Sequence, residues 1–333
     1  MGMQVVVLGG GSWGTTVAHL AAHNAETTLW CRDEAVAQNI NDHCCNHRYL
    51  DGYELHPSLQ ATSNLEAAVT KADLLVVGVP SSAFRETLRL SAAFLRPWVP
   101  VVSLTKGLEQ GTAMRMSEVI DEELPGHPAG AMTGPNLAKE VLAGSAAAAV
   151  VAMADQEIAE TLQRAFTTDN FRVYTSSDVV GCELGGALKN VIAIATGMAY
   201  GLGTGDNTRA AVITRGLAEL TRLGVAMGGD PATFAGLAGM GDLVATCISD
   251  QSRNRFVGER LGQGLKVDEI IAEMNQVAEG IKTVRVVHQL AEAYGVDMPI
   301  TAEVYAVVAE GRTASEAYRG LLGRRITTEQ SGS

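Results

Sequence analysis

The chain of 333 residues sets 25 lysines and arginines against 37 aspartates and glutamates, a formal charge of −12. That length can bury two ordinary cores, and that charge excludes a nucleic-acid surface, where basic side chains would have to dominate, without excluding a small anionic ligand. Five cysteines lacking the paired spacing of a zinc site suit a reducing compartment, and no charged leader or apolar span near ~20 residues stands out, so a cytoplasmic chain without stable membrane insertion and without a metal is expected.

Gln4 to Leu8 reads as a buried strand, Gly9 to Gly14 as a tight turn and Trp13 to Ala22 as a helix. A strand from Thr27 to Trp30, a helix near Glu34 to Asn41, a polar loop through Tyr49 and Pro57, and a helix near Leu65 to Thr70 follow. The strand from Asp73 to Val79 is stopped by Pro80, which has no N–H to give a ladder. Next come a helix from Ser82, a strand from Pro100 to Leu104, a helix over Met114 to Leu124 and a short run at Ala131 to Thr133. Strands at Ala146 to Ala152 and Arg172 to Thr175 flank a helix over Gln156 to Phe166. Strands that alternate with helices and are apolar throughout imply a mostly parallel sheet covered on both faces. From Val179 onward the pattern is helical. Val284, Val287, His288 and Ala291 recur at spacings of three and four, Pro299 and Gly311 bracket another helix, and the tail from Thr327 is expected to fray. The expected organisation is an α/β domain over 1–178 and an all-helical domain over 179–333.

Gly9, Gly11 and Gly14 form G-x-G-x-x-G between the first strand and the first helix. Gly9 permits the turn, the bare Gly11 lets a pyrophosphate approach, Gly14 permits close helix packing, and free N–H groups at the helix start meet the phosphate charge. The first domain is therefore Rossmann-like, with NADP(H), NAD(H) or both as cofactor. At the end of the second strand Arg32 suits a 2′-phosphate and Asp33 an unphosphorylated ribose; a solvent-facing Arg32 paired with a helix charge is the alternative. The balance leans toward NADPH. Val79, Pro80 and Ser81 close a strand at the edge where ligands sit in open parallel sheets, and Lys106 follows another strand at the same edge.

Lysine occurs at six positions, so Lys189 in the glycine-rich, apolar run GGALKNV stands out. It either snorkels past an apolar face to water or serves as the proton donor and acceptor that a hydride transfer needs. Asn190 and Asn207 can orient a substrate. Asp242, in GMGDLV, either orients Lys189, holds a substrate hydroxyl or caps the following helix, while Arg253 between Ser252 and Asn254 suits a phosphate or carboxylate. Adjacent Cys44 and Cys45, with His43 and His47 nearby, are the one place where a metal or redox role is open, and no second cluster follows.

Five blocks, GGGSWGT at Gly9 to Thr15, TKGLE at Thr105 to Glu109, GPNLAKE at Gly134 to Glu140, GGALKNVIAIATG at Gly185 to Gly197, and GDLVATC followed by QSRNR, resemble the bacterial-type NAD(P)-dependent glycerol-3-phosphate dehydrogenases in order and spacing. The resemblance runs from Met3 to at least Arg325. It implies reversible reduction of dihydroxyacetone phosphate to sn-glycerol 3-phosphate for glycerophospholipid synthesis, by a homodimer. It implies Lys189 as proton donor or acceptor and Lys106 as a residue touching both substrate and cofactor. Ser12, Trp13 and Arg32, with Ala138, Arg253, Val277 and Glu279, would line the cofactor site. Gly134, Asn136, Asp242, Ser252 and Asn254 would lie near substrate, with Arg253 also neutralising its phosphate. Two positions depart from the family's pattern: Tyr200 stands where many relatives carry aspartate, and Asn136 where serine or threonine also occurs. A related hydroxyacid dehydrogenase, or a non-catalytic nicotinamide-sensing protein, is the competing reading.

Overall fold

Successive side chains of a strand point to opposite faces of its sheet, and no residue from Val5 to Leu8 is polar, so both faces of the first strand must be covered. The computed structural model, which describes residues 2–274 and 278–323, shows how. Two compact units emerge: Met1–Thr105 with Met114–Val179, and Lys106–Ala113 with Val180–Ser333.

The first unit runs β1 (Gln4–Leu8), α1 (Ser12–Ala21), β2 (Glu26–Trp30), α2 (Glu34–His43), α3 (His47–Leu50), β3 (Gln60–Thr62), α4 (Leu65–Val69) and β4 (Leu74–Val77). It continues through α5 (Ser81–Ala92), β5 (Val101–Ser103), α6 (Met116–Glu123), β6 (Ala129–Thr133), α7 (Ala138–Leu142), β7 (Ala147–Met153), α8 (Gln156–Phe166) and β8 (Phe171–Ser176). The strands make one sheet in the order β3-β2-β1-β4-β5-β6-β7-β8. Val5, Val7, Leu74 and Val76 enter a core with Val17 and Leu20 of α1 and Leu162 and Phe166 of α8. Val6, Leu8, Leu75 and Val77 enter a second core with Phe84 and Leu88 of α5 and Val119 and Ile120 of α6. Alternate residues of the same apolar strand thus hold different helix layers, as a sheet covered on both faces requires.

The mostly parallel sheet is as expected, with one antiparallel pairing, and the expected polar loop is more ordered than its sequence suggests. The sheet is parallel except where β7 runs antiparallel to β6, pairing Thr133 with Val150 and Gly130 with Met153. The connection carries only the five-residue α7, about 7 Å of helix against the ~17 Å of a five-residue strand, too short to return the chain to the start of β6. The expected polar loop through Tyr49 and Pro57 holds α3 and a bridge between Cys45 and Glu54, and β3 follows it. Elements of three or four residues present no period long enough to read.

The second unit contains α9 (Val179–Gly201), α10 (Asp206–Ala226), α11 (Pro231–Ala235), a π-helical turn (Leu237–Gly241), α12 (Asp242–Ile248), α13 (Arg253–Gly262), α14 (Val267–Glu273), α15 (Glu279–Tyr294), α16 (Pro299–Glu310) and α17 (Ala314–Leu322). Helix α9 is long and apolar enough to cross a membrane but is buried almost throughout inside the protein, in a core with Leu220, Leu223, Val257, Val284 and Val304. A helix apolar on every side needs neighbours on every side. Glu219 of α10 closes another gap: its buried carboxylate accepts from the backbone N–H groups of Ile300 at 2.7 Å and Thr301 at 3.1 Å, the start of α16, where Met298 has no capping oxygen. Burial pushes that carboxyl up to about 7, against the pull of these hydrogen bonds.

Helices α9 and α13 approach through glycine. A Cβ on Gly258 would lie 2.0 Å from the Ile194 carbonyl oxygen, and one on Gly197 would lie 2.1 Å from that of Arg255. Neither neighbour is a side chain that can rotate away. Gly258→Ala is therefore expected to force the helices apart and destabilise the protein by about 1–3 kcal/mol, seen as a lower urea midpoint in far-ultraviolet circular dichroism; an unchanged midpoint would show that the contact has slack.

Candidate active site

In the first unit the glycine motif meets its three requirements separately. Gly9 has φ +122, a backbone state open to glycine, and a Cβ there would lie 2.7 Å from the Gly78 carbonyl oxygen. A Cβ on Gly14 would lie 2.1 Å from the Gly9 oxygen, so the start of α1 presses on the turn. A Cβ on Gly11 would meet nothing within 4 Å. The protein does not use that space, which suits a ligand approaching the backbone. Gly11 also gives α1 an N-cap without a capping side chain, and no acidic residue lies in its first turn. The leading N–H groups are left to an anion.

Two further observations fit a nucleotide there. Among the described residues the indole Nε1 of Trp13 and both amide atoms of Asn136 are buried without hydrogen-bond partners, and such atoms cost free energy unless something pairs with them. Gly134, at φ +132, turns the chain between β6 and Asn136, and Ala138 opens α7. At the end of β2 the two ribose readings separate. Asp33 caps α2 by accepting from the Ala35 N–H at 3.0 Å and pairs with Arg48 at 2.7 Å. Arg32 is exposed, with no ion-pair partner among the described residues. The acidic residue is occupied by structure and the basic one is available. Ser12 begins α1 and reaches toward the Tyr49 carbonyl oxygen at 3.4 Å.

In the second unit Lys106, Lys189 and Asp242 meet directly. Asp242 is 2% and Lys189 4% exposed, and each carboxylate oxygen of Asp242 takes one lysine, Oδ1 with Lys189 and Oδ2 with Lys106, both at 2.7 Å. Lys189 also donates to Thr246 Oγ1, and that hydroxyl donates in turn to the Asp242 carbonyl oxygen at 2.6 Å. The expectation that Lys189 might reach water along an apolar face is overturned, because α9 is enclosed where it carries this residue. Asp242 is the first residue of α12, directly after the π-helical turn, and does not cap it; Thr246 follows one turn later on the same helix. A Cβ on Gly185 would lie 2.6 Å from the Ala238 carbonyl oxygen, so glycine lets α9 pack closely against that turn. Desolvation pushes the Lys106 ammonium down to about 8, with Asp242 opposing and Lys189 adding to the shift.

The remaining residues lock the surrounding backbone. Asn190 donates to the Lys106 carbonyl oxygen at 3.0 Å, Asn254 donates to Asn190 Oδ1 at 2.9 Å, and Asn254 Oδ1 accepts from the Gly280 N–H at 3.0 Å. Ser252 caps α13 by accepting from the Arg255 N–H. Arg253 follows as the first residue of that helix; desolvation lowers its guanidinium, and the Glu279 carboxylate acts the other way. Tyr200, the position that departs from the family's pattern, lies 4.2 Å from both the Arg209 and the Arg255 guanidinium carbons, tying α10 and α13 to the end of α9.

The structure thus joins Lys106, Lys189 and Asp242 in one network and links Asn254 to it through Asn190. Asn207 is exposed at the start of α10 and joins neither. Val277 lies outside the described residues. Thr246 was missed by the sequence reading, although its place four residues after Asp242 on a helix was a usable signal. Among the described residues no group of three or more histidines, cysteines, aspartates or glutamates is arranged to hold a metal.

Residues 4–159 match the family model for the NAD-dependent glycerol-3-phosphate dehydrogenase N-terminus, and residues 178–319 the model for its C-terminus. The chain is 57% identical over 331 residues to a glycerol-3-phosphate dehydrogenase of Mycobacterium avium, covering 99% of this chain and 97% of that one. It is 55% identical over 329 residues to one from Sphingopyxis alaskensis, covering 99% of each. The crystal structure of glycerol-3-phosphate dehydrogenase from Coxiella burnetii is similar with a TM-score of 0.92 and 36% identity, over 97% of this chain and 99% of that one. The chain belongs to the NAD(P)-dependent glycerol-3-phosphate dehydrogenases.

Proposed function

We propose that Lys189 exchanges the proton with the substrate oxygen as this enzyme interconverts dihydroxyacetone phosphate and sn-glycerol 3-phosphate with NAD(P)H. The observation that carries this role is the fixed position of its ammonium. A lysine ammonium has three N–H donors. Among the described residues Asp242 and Thr246 meet two of them, and the third is left for a substrate oxygen. In the reducing direction it polarises the ketone oxygen and gives it a proton; in the oxidising direction it receives the proton from the alcohol. Bound at the glycine turn of the first unit, the nicotinamide cofactor supplies or takes the hydride.

The other roles follow from charge. Two ammonium groups around one carboxylate leave the cluster net positive, which favours a phosphorylated substrate. Arg253 takes the phosphate by parallel hydrogen bonds, with Ser252 and Asn254 setting the turn that carries it. Lys106, bonded to the same carboxylate as Lys189, touches both substrate and cofactor. Gly134 and Asn136 approach the substrate, while Ser12, Trp13, Ala138, Val277 and Glu279 complete the cofactor contacts. In domain terms, 1–178 binds the dinucleotide and 179–333 binds substrate and carries the catalytic groups, with Lys106–Ala113 serving the latter. We extend the proposal to a cytoplasmic homodimer that supplies glycerophospholipid synthesis; all five cysteines are free thiols, which supports a reducing compartment.

Lys189→Ala is expected to lower kcat roughly a hundred- to ten-thousandfold, followed by nicotinamide absorbance on adding dihydroxyacetone phosphate, while cofactor binding persists; unchanged turnover would remove Lys189 from the reaction. Lys106 is charged below about 8 and neutral above it. The kcat/KM for dihydroxyacetone phosphate should therefore fall as pH rises through that value, and the residual activity of Lys106→Arg should lose this limb because a guanidinium does not deprotonate there. A limb that persists unaltered in that variant belongs to another group. Arg32→Gln should raise KM for NADPH about tenfold or more and leave KM for NADH nearly unchanged; equal loss with both cofactors would refute recognition of the 2′-phosphate.

A further inference from the structure

The adjacent cysteines left without a role by the reaction sit in a specific arrangement. Cys45 follows the left-handed residue Cys44, at φ 50, which ends α2. Its Sγ lies 3.1 Å from Nε2 of His47, and Nδ1 of the same ring lies 2.8 Å from Asp51 Oδ1. A carboxylate at Nδ1 holds the proton on that nitrogen and leaves Nε2 as the acceptor facing sulfur, the order of nucleophile, base and orienting acid found in hydrolytic triads. Asn39 Oδ1 accepts weakly from the thiol at 3.3 Å and from the His47 N–H at 3.4 Å, fixing the segment against α2. The histidine and aspartate are exposed and Cys45 is half-buried, whereas Cys31, Cys182 and Cys247 are buried.

We propose that Cys45, His47 and Asp51 form a thiol-modification site for a low-molecular-weight disulfide, coupled to the dinucleotide cradle. Sulfur of Cys45 attacks one sulfur of the disulfide. A new S–S bond forms, the old one breaks, and the leaving thiolate departs with the electron pair. The cysteine proton passes to His47 Nε2, the imidazolium is held by Asp51, and the leaving thiolate then collects that proton. Cys45 is oxidised to the mixed disulfide and half of the reagent is reduced to thiol. Partial burial, Cys44 and Asp51 hold the Cys45 thiol above its ordinary range. The resting sulfur therefore keeps its proton, and it becomes a nucleophile only as the ring withdraws it.

The coupling rests on the cofactor role given above to the glycine turn. The next residue, Asn46, is 1% exposed and donates to the Gly10 carbonyl oxygen at 3.0 Å and to Thr15 Oγ1 at 2.9 Å, on both sides of the turn. Two residues further, Arg48 pairs with Asp33, next to Arg32. A substituent on Cys45 must move the backbone that carries both contacts, and it loosens the turn from one side and the ribose end from the other.

The test treats the full chain, without substrate or cofactor, with oxidised glutathione and follows each cysteine by peptide mass mapping. Cys45 is expected to be modified about tenfold or more faster than Cys44, and His47→Gln and Asp51→Asn each to slow Cys45 alone by a similar factor. Equal rates at Cys44 and Cys45, or an unchanged rate in His47→Gln, would overturn the relay. NADPH affinity is then read by fluorescence titration, which needs no turnover and so stands apart from the role of Lys189. The modified protein should bind NADPH more weakly, dithiothreitol should restore it, and Cys45→Ala exposed to the same reagent should keep its affinity. A Cys45 mixed disulfide that binds NADPH as before would sever the site from the cradle.

Discussion

The carboxylate of Asp242 is the constraint on which the catalytic half of the molecule depends. Lys189 is buried, and a buried ammonium needs both an opposite charge and hydrogen-bond acceptors. Asp242 meets Lys189 with one oxygen and Lys106 with the other, so a single group compensates two cations that would otherwise repel each other. Stripping one partner from such a buried pair costs about 3–5 kcal/mol, since the remaining charge has no solvent to turn to. The arrangement contributes less to stability than to position. Both lysines are placed relative to one carboxylate, and Thr246 fixes the ammonium of Lys189 from the same helix.

Local sequence explains how three distant segments converge on that carboxylate. Small residues on α9 and α13 allow two backbones to come closer than side chains would permit, so α9 is clasped along its length and Lys189 is held at a defined height. The π-helical turn inserts itself before α12 and gives Asp242 its direction; such turns are costly within a helix and persist where a side chain must be aimed. The Asn190, Asn254 and Gly280 hydrogen bonds then tie the lysine helix to the start of α13, where Arg253 stands, and to the start of α15, where Glu279 stands. Lys189, Arg253 and Glu279 are therefore mounted on one connected backbone.

The parts legible in the sequence were those whose physics is local. Apolar strands between helices announced a doubly covered sheet, and Gly9 and Gly14 announced a turn because only glycine fits the space each occupies. Lys189 and Asp242 were legible as unusual residues in unusual surroundings. Their mutual contact was not, since more than fifty residues separate them and no periodicity records it. That Asp33 is engaged by the protein itself was likewise illegible in adjacent letters, since its partner Arg48 is brought to it by the short helix α3. The reversal of β7 against β6 depended on the length of α7, a five-residue helix with too little pattern to measure.

The two units prepare for their ligands in opposite ways. In the first, the Trp13 indole and the Asn136 amide are without partners among the described residues, and α1 starts without a capping side chain. Such groups cost free energy until something pairs with them, so they favour a ligand that can do so. In the second, Lys106, Lys189 and Asp242 are already paired, and the desolvation of that network was met when the protein folded. Asp242 and Thr246 already hold the Lys189 ammonium in place, so the proton exchange proposed for it requires little reorganisation. Cofactor affinity is consequently the property most open to adjustment from outside the site, because a displaced cradle loses pairing, whereas the lysine network can be altered only by disturbing the core that encloses it.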